Sequence, residues 1–298
     1  MIQVAKPYRG NARPGRAFDR SYRVLEYAFR LRTDLHRVGV LLGRYLAPFR
    51  APSSDDGLAT YDIVQRDGSY PFVLYRDGRR IQSAPSYPDL LDYVFAMLHA
   101  TALEGSEEFL AVHASAASWK GRGFVFPAPM DSGKTTLVAG LVRAGFDYLT
   151  DEAALFDAGS AELHPFPKAL WMEPESVRAL PGLQRRLPPE YRGLSRLRCY
   201  VRPEDLRLGT AGESCPLRYV IAPSFRGGEE TRLERMSRAE ALIVLTRNSF
   251  NFRQFGARGL DILRRALEGA GCFSLRMGDL ESAVRAVMAL GEKGPAVA

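Results

Sequence analysis

Residues 123–137 read GFVFPAPMDSGKTTL, and the fold predicted for the second half of the chain is built around this stretch. Its apolar beginning predicts a strand, and the spacing of apolar residues after Thr135 predicts a helix. Between them lies a short loop that ends in Ser132, Gly133, Lys134 and Thr135. Backbone N–H groups of such a loop and the N-terminus of the following helix point at one spot, where both attract phosphate oxygens. The stretch therefore predicts a phosphate-binding loop.

Each residue type in the loop has a physical role in binding a nucleotide. Gly133 allows a close backbone turn, Lys134 would neutralise the β- and γ-phosphates of ATP, and the Thr135 hydroxyl would bind Mg²⁺. Ala128 stands where such loops usually carry their first glycine, a departure that makes the motif less specific. The alternative is that the threonines only begin a helix and that Lys134 is solvated. The predicted nucleotide contacts are Ala128, Asp131, Ser132, Gly133, Lys134, Thr135 and Thr136.

An acidic pair follows the loop helix. A strand is predicted over 148–156, and its first part, 148–150, ends in Asp151 and Glu152, which would lie at the carboxyl edge of the sheet beside the loop. Phosphoryl transfer needs carboxylates that hold a metal and orient the acceptor, so Thr135, Asp151 and Glu152 are the predicted metal ligands. An exposed acidic strand end is the alternative. His113 lies in the strand that leads to the loop. On spacing alone it could equally be a functional residue of the site or a packed histidine of the sheet.

Further from the loop, the pattern divides the chain into three parts. Residues 1–20 lack periodicity and predict a flexible tail, residues 21–108 a small α+β domain, and residues 109–298 an α/β catalytic domain. In the small domain, residues 70–83 predict a hairpin and Ser86 predicts the cap of a long helix. Residues 22–32 fit either a strand or a helix.

Composition narrows the possible functions. The 298 residues are 46% hydrophobic and 25% charged, with a net charge of +7, as in a soluble globular protein. Many arginines fall in residues 178–207, and we expect that segment to hold ATP phosphates or an acidic acceptor near Lys134. The chain carries no nucleic-acid-binding motif and no apolar run long enough for a membrane span. Three cysteines without metal or disulfide spacing suit the cytoplasm.

Several segments together resemble the HPr kinase/phosphorylase family, and more closely its HPr-kinase-related branch, whose core is similar to that of phosphoenolpyruvate carboxykinase. They are VHASA around His113, APMDSGKTT, GFDYLTDE, PFPKAL, SRAEALIVLTRNSFNF and LRMGDLESAVRAV. The resemblance implies a P-loop kinase core that transfers the γ-phosphate of ATP to a hydroxyl, commonly of serine, with Mg²⁺. It implies catalytic roles for Lys134, Asp151 and His113.

The departures from the family pattern bear on the acceptor. Glu152 replaces the usual second aspartate, so its role as metal ligand or base stays open. Lys168 would contact phosphate or substrate, or would be a solvated loop lysine. The glycine-rich second signature of true HPr kinases is missing from residues 172–192, which disfavours HPr itself. The acceptor class that the branch implies is a protein or a ribosomal precursor peptide.

Three functions are therefore carried forward. The leading hypothesis is an ATP- and Mg²⁺-dependent kinase acting on Ser or Thr of a protein or peptide. The second is a non-catalytic nucleotide sensor or adaptor, and the third is a kinase for a small anionic metabolite. The oligomeric state is open, a homo-oligomer included.

Overall fold

A computed structural model describes residues 17–52, 57–187 and 199–293. The chain divides into two compact units, Met1–Gly105 and Ser106–Ala298. Each unit combines a β-sheet with helices, so the prediction of a mixed α/β protein is confirmed.

The first unit is built on a five-stranded sheet with strands in chain order. All neighbours are antiparallel except β2 and β3, which are parallel. Helix α2 packs against β1, β2, β4 and β5. The elements are β1 (Phe18–Val24), β2 (Tyr27–Thr33), α1 (His36–Tyr45), a short 3₁₀ helix (Ala47–Phe49), β3 (Ala59–Gln65), β4 (Phe72–Arg76), β5 (Arg79–Ala84) and α2 (Tyr87–Gly105).

Local signals in this unit predicted its elements well. The hairpin over 70–83 is confirmed as β4 and β5, and the Ser86 hydroxyl accepts a hydrogen bond from the Asp89 N–H at 3.3 Å at the start of α2. Residues 22–32, left open between strand and helix, are strands: they comprise the end of β1, a two-residue turn at Leu25 and Glu26, and most of β2. The predicted tail over 1–20 is wrong at its end because β1 begins at Phe18; residues 1–16 lie outside the described ranges.

The second unit contains an eight-stranded sheet in the order β10-β9-β6-β7-β13-β15-β14, with β8 also paired to β6. A separate pair is formed by β11 and β12. The strands are β6 (Phe109–Trp119), β7 (Arg122–Pro127), β8 (Asp147–Thr150), β9 (Ala153–Asp157), β10 (Leu163–His164), β11 (Leu170–Met172), β12 (Cys199–Val201), β13 (Leu217–Phe225), β14 (Arg232–Arg235) and β15 (Gly271–Met277).

The helices of this unit cover both faces of its sheet. They are α3 (Lys134–Arg143), α4 (Pro174–Arg178), α5 (Leu183–Arg186), α6 (Pro203–Leu206), α7 (Arg238–Arg247), α8 (Phe252–Phe255), α9 (Ala257–Ala266) and α10 (Leu280–Lys293). Alternation along β7 sends Phe124 and Phe126 into a core with α3 and α10, and Val125 into a second core with α7 and α9. Burying each such side chain stabilises the fold by about 1.5–3 kcal/mol.

Strand register brings three segments to one level of the sheet. Strands β7, β13 and β15 are parallel, so their carboxyl ends meet at one edge. Strand β6 is longer and runs past that edge. Its residue Ala114 is paired with Pro127, the last residue of β7, and its N–H donates to the Glu152 carbonyl oxygen at 3.0 Å. The acidic pair therefore lies across β6 from the start of the loop.

The prediction of a single strand over 148–156 is wrong in one respect, because the strand is interrupted at Asp151 and Glu152. Strands β8 and β9 both pair with β6, on either side of this break. The Thr150 hydroxyl accepts hydrogen bonds from the N–H groups of Glu152 and Ala153, each at 3.2 Å. A hydroxyl that binds nearby backbone N–H groups offers them an alternative to the strand ladder.

None of the helices in the described part of the chain is long and apolar enough to cross a bilayer.

Candidate active site

The predicted phosphate loop connects β7 to α3, with a left-handed glycine at its end. Gly133 is the N-cap of α3 and has a φ of 84°, and no side chain caps this helix N-terminus. A Cβ at this position would lie 2.9 Å from the Met277 methyl carbon. Glycine therefore suits both the backbone conformation and the close approach to Met277. Because no side chain caps the helix, its first N–H groups, at the positive end of the helix dipole, have no side-chain partner.

The Lys134 side chain folds back onto the start of the loop. The Lys134 ammonium donates to the carbonyl oxygens of Ala128 at 2.7 Å and Pro129 at 2.6 Å. Burial lowers the pKa of Lys134, and the Asp131 and Asp151 carboxylates oppose that shift. The Ser132 hydroxyl oxygen is buried without a hydrogen-bond partner. The Ser132 hydroxyl and the Lys134 ammonium are two donors that suit phosphate oxygens.

Asp151 is a buried carboxylate, 5% exposed, at the break between β8 and β9. Its Oδ1 accepts hydrogen bonds from the Tyr148 hydroxyl at 3.1 Å and from the Lys168 ammonium at 2.9 Å. Its Oδ2 accepts the Trp171 N–H at 3.2 Å. A carboxylate offers about four lone-pair sites, so Oδ2 retains a position for one further donor.

Lys168 is not a solvated loop lysine: it is 4% exposed. Its ammonium lies 2.9 Å from Asp151 Oδ1 and 2.9 Å from Glu152 Oε2, and donates to the Ala169 carbonyl oxygen at 3.3 Å. Burial opposes the charge, but the two carboxylates outweigh it and raise the pKa of Lys168 above its usual value. Together the two carboxylates keep this buried ammonium charged.

The His113 ring is packed against an aromatic neighbour. Its ring is stacked on Phe250, with centroids 5.4 Å apart and an interplanar angle of 14°. Burial lowers the pKa of His113, and the Lys134 ammonium lowers it further. At neutral pH the imidazole is therefore uncharged and can donate one hydrogen bond and accept another.

A cavity of about 570 Å³ brings these residues together. Of the predicted site residues all line it except Ala128, which is buried and contributes its carbonyl oxygen to Lys134. The lining comprises His113, Met130, Asp131, Ser132, Gly133, Lys134, Thr135, Thr136, Leu137, Asp151, Glu152, Lys168, Trp171, Glu173, Glu175, Ser176, Ala179, Phe225, Met277, Gly278, Asp279 and Leu280.

Sequence reasoning missed one wall of this cavity. Helix α4 contributes Glu175 and Ser176, and its N-cap residue Glu173 lies beside them. The Thr136 hydroxyl donates a hydrogen bond to the Ser176 hydroxyl at 2.8 Å. The helix is five residues long and lies in a stretch rich in proline and arginine, so periodicity could not reveal it. The Pro174 signal at its first position was present but weak.

The expectation that the arginines of 178–207 hold ATP phosphates or an acidic acceptor near Lys134 is wrong for those that the structure describes, because none of them lines the cavity around Lys134. Arg207 donates to the carbonyl oxygens of Val142 at 2.9 Å and Phe146 at 2.8 Å, at the end of α3 opposite the loop. Arg202 pairs with Asp205 at 2.9 Å. Arg192, Arg196 and Arg198 lie outside the described residues.

The predicted metal ligands differ in their surroundings. Thr135 lies in the first turn of α3 and lines the cavity, whereas Asp151 and Glu152 are both engaged by Lys168. Within residues 17–52, 57–187 and 199–293, no three His, Cys, Asp or Glu side chains are grouped so that they could hold a metal ion. A Mg²⁺ that arrives with nucleotide phosphates needs only one or two protein ligands, which Thr135 fits.

No family model matches the chain, and no curated protein sequence matches it. Among solved structures, the chain is similar to the Hpr(Ser) kinase/phosphatase from Coxiella burnetii. The match has 12% sequence identity and a TM-score of 0.28, and covers 62% of this chain and 99% of that chain. Both the identity and the TM-score are too low to transfer an activity or a residue's role.

Proposed function

We propose that this protein is an ATP-dependent kinase that transfers the γ-phosphate of ATP to a hydroxyl of a protein or peptide. The observation that carries the proposal is the content of one cavity. A glycine-capped helix N-terminus with its lysine, Lys134, faces the same space as a buried carboxylate, Asp151, and a neutral histidine, His113. Phosphate binding and activation of a hydroxyl are the two tasks that such an enzyme must combine.

The chain's own residues divide these tasks between them. The loop N–H groups and Lys134 bind the β- and γ-phosphates, for which Lys134 gives up its bonds to the loop carbonyl oxygens. The acceptor hydroxyl donates to Asp151 Oδ2, which retains a lone-pair position, and His113 orients the same hydroxyl. The hydroxyl oxygen forms a bond to the γ-phosphorus as the bond to the β-phosphate oxygen breaks, and Asp151 takes the proton. The products are ADP and the phosphorylated acceptor.

Magnesium would be held by the Thr135 hydroxyl together with phosphate oxygens of the nucleotide. When bound there it would neutralise negative charge that develops on the phosphates. Thr135 is well suited to the position because it lies in the first turn of α3, next to the loop.

The charge of the cavity favours a neutral or basic acceptor. Its wall carries the carboxylates of Asp131, Glu173, Glu175 and Asp279 in addition to the acidic pair, and two exposed apolar side chains, Met130 and Phe225. A small anionic metabolite would meet like charge on most sides, which costs affinity. A Ser- or Thr-containing peptide with flanking basic and apolar residues fits these surroundings better.

The test combines nucleotide binding with phosphate transfer. Calorimetry with MgATP measures binding, and transfer from γ-labelled ATP is measured on Ser- and Thr-containing peptides with basic or acidic flanks. We expect Lys134→Ala to lower the transfer rate by about 10²–10³-fold, because a preorganised charge at the transferred group is lost. Lys293→Ala, at the exposed end of α10, is the matched control and should leave both measurements unchanged. Unchanged transfer in Lys134→Ala would exclude the kinase, and tight MgATP binding without transfer to any peptide would select the sensor.

A further inference from the structure

The three hydrogens of the Lys168 ammonium have three acceptors, two of them carboxylates. These acceptors are Asp151 Oδ1 and Glu152 Oε2, each at 2.9 Å, and the Ala169 carbonyl oxygen at 3.3 Å. An ammonium has three donors and no acceptor, so this set uses its whole capacity. The lysine is therefore bound as a cation between two anionic ligands.

The fold holds Lys168 in this position. The Phe166 N–H donates to the Leu149 carbonyl oxygen at 2.8 Å, which ties the segment 165–169 to β8 just before Asp151. The Lys168 carbonyl oxygen accepts the Tyr148 hydroxyl at 3.0 Å, and the same hydroxyl reaches Asp151 Oδ1. Backbone and side chain of Lys168 are thus both bound to the strand that carries the acidic pair.

The point between the two carboxylates is also where a divalent cation would lie. Hard cations take carboxylate and carbonyl oxygens at about 2.0–2.6 Å, and the ammonium already contacts one oxygen of each carboxylate and one backbone carbonyl. A metal ion could enter only if the lysine left, and the buried lysine would then lose both of its counter-charges, which is costly.

We propose that the Lys168 ammonium occupies the position between Asp151 and Glu152 where a metal ion would otherwise bind. In this position it also orients Asp151 toward the acceptor hydroxyl. The active site then takes a single divalent ion, the one that comes with the nucleotide on Thr135. The positioning role rests on the proposed function, because it requires an acceptor hydroxyl that binds to Asp151. The claim that Lys168 occupies the cation position between the two carboxylates does not depend on the proposed function.

The experiment measures binding of Mn²⁺ to the full chain without nucleotide, by the decrease of the free-ion electron paramagnetic resonance signal. We expect Lys168→Met to gain one Mn²⁺ site that is at least about tenfold tighter than any site of the unmodified protein, because a positive charge within 3 Å of both carboxylates is removed. Lys168→Arg keeps the charge and should behave as the unmodified protein. The double variant Asp151→Asn with Lys168→Met should lose the gained site.

Two results would overturn the proposal. One is a folded Lys168→Met variant, verified by circular dichroism, that takes up no additional Mn²⁺. The other is a nucleotide-independent Mn²⁺ site in the unmodified protein that Glu152→Gln abolishes. The Glu152 side chain is 42% exposed, so we expect the Glu152→Gln variant to fold. Comparing Mn²⁺ binding by this variant and by the unmodified protein therefore tests the proposal even if Lys168→Met does not fold. Equal Mn²⁺ binding by the unmodified protein and Glu152→Gln supports the proposal. Because the assay contains no ATP, a failure of the proposed kinase activity leaves its result unchanged.

Discussion

Among the residues that the structure describes, Asp62 in the first unit and Asp151 in the second are nearly fully buried aspartates, and each is paired with a cation. In the first unit Asp62, 3% exposed, is opposite Arg32 in the register of β2 and β3. The guanidinium donates from Nε to Oδ1 at 2.9 Å and from Nη2 to Oδ2 at 2.8 Å. In the second unit Asp151 receives the Lys168 ammonium on Oδ1 alone.

The difference lies in what each cation leaves for other ligands. A guanidinium fork binds both carboxylate oxygens of Asp62, which fixes two neighbouring strands and serves the sheet. An ammonium is a point charge, so it holds Asp151 through one oxygen and leaves part of the other for a substrate. The residues around Asp151 line a cavity. Arg32 and Asp62, by contrast, lie on β2 and β3, which are paired with each other in the sheet. The same pair of charges is thus structural in one unit and, in our proposal, functional in the other.

The largest expected effect separates the two aspartates by activity. We expect Asp151→Asn to lower the rate of phosphate transfer by about 10²–10⁴-fold, the usual contribution of a positioned general base. Asp62→Asn, the matched change in the first unit, should leave the rate per folded molecule unchanged. Steady-state transfer with a peptide acceptor measures both, and equal losses in the two variants would contradict the functional role of Asp151.

The second effect concerns stability. We expect Asp62→Ala to lower the free energy of unfolding by about 1–3 kcal/mol, because Arg32 loses a buried charged partner. Asp19→Ala is the control, since its pair with Arg30 has the same forked geometry but is exposed. Its loss should be no more than about 1 kcal/mol. Urea titrations of both variants provide the comparison, and an equal loss would show that burial of the Asp62 pair adds nothing.

A smaller effect tests the hydroxyl that supports Asp151. Tyr148 and Tyr219 are both buried, and their hydroxyls donate to Asp151 at 3.1 Å and to the Leu290 carbonyl oxygen at 2.8 Å. Replacing either by phenylalanine should cost about 1 kcal/mol of stability. Only Tyr148→Phe should also lower the rate of phosphate transfer, by about tenfold or less, because it removes a hydrogen bond that orients the Asp151 carboxylate. Transfer that falls in both variants would mean that general destabilisation explains the loss.

The smallest effect is a pH dependence of stability. Burial lowers the pKa of His113 in the folded state, so the unfolded state takes up a proton first as the pH falls below about 6.5. Stability is therefore lost on acidification until the native His113 is protonated as well. His113→Gln should reduce the drop in unfolding free energy between pH 7.5 and 5.5. Burial also lowers the pKa of His164, so His164→Gln should reduce the drop too, but without affecting transfer. An unreduced drop in both variants would contradict this origin.

Local sequence signals predicted the elements that depend on neighbouring residues. The hairpin of β4 and β5, and the Ser86 cap at the start of α2, are confirmed. The strand, loop and helix around Gly133 have the predicted order. These features follow from backbone preferences and short-range hydrogen bonds, which the chain carries wherever it folds.

Tertiary contacts alone decided the fate of the charged residues. Nothing near Arg207 in the sequence indicates that its guanidinium binds carbonyl oxygens at the end of α3, about 60 residues earlier in the chain. The break at Asp151 likewise depends on where Thr150 finds its hydrogen bonds. Charge in a sequence predicts attraction to a polyanion, but the fold determines which partner reaches each charge first.

The order of strand, loop and helix around Gly133 follows from the sequence alone, because a strand, a glycine turn and a helix start are all local features. The sequence also brought Asp151 and His113 into consideration as members of the same site. The burial of Lys168 beside them follows from tertiary contacts, because its ion pairs require the segment at Phe166 to return to β8 and bond to Leu149. A lysine's cost of burial is offset only by partners that folding brings to it, and no spacing in the sequence encodes that distance.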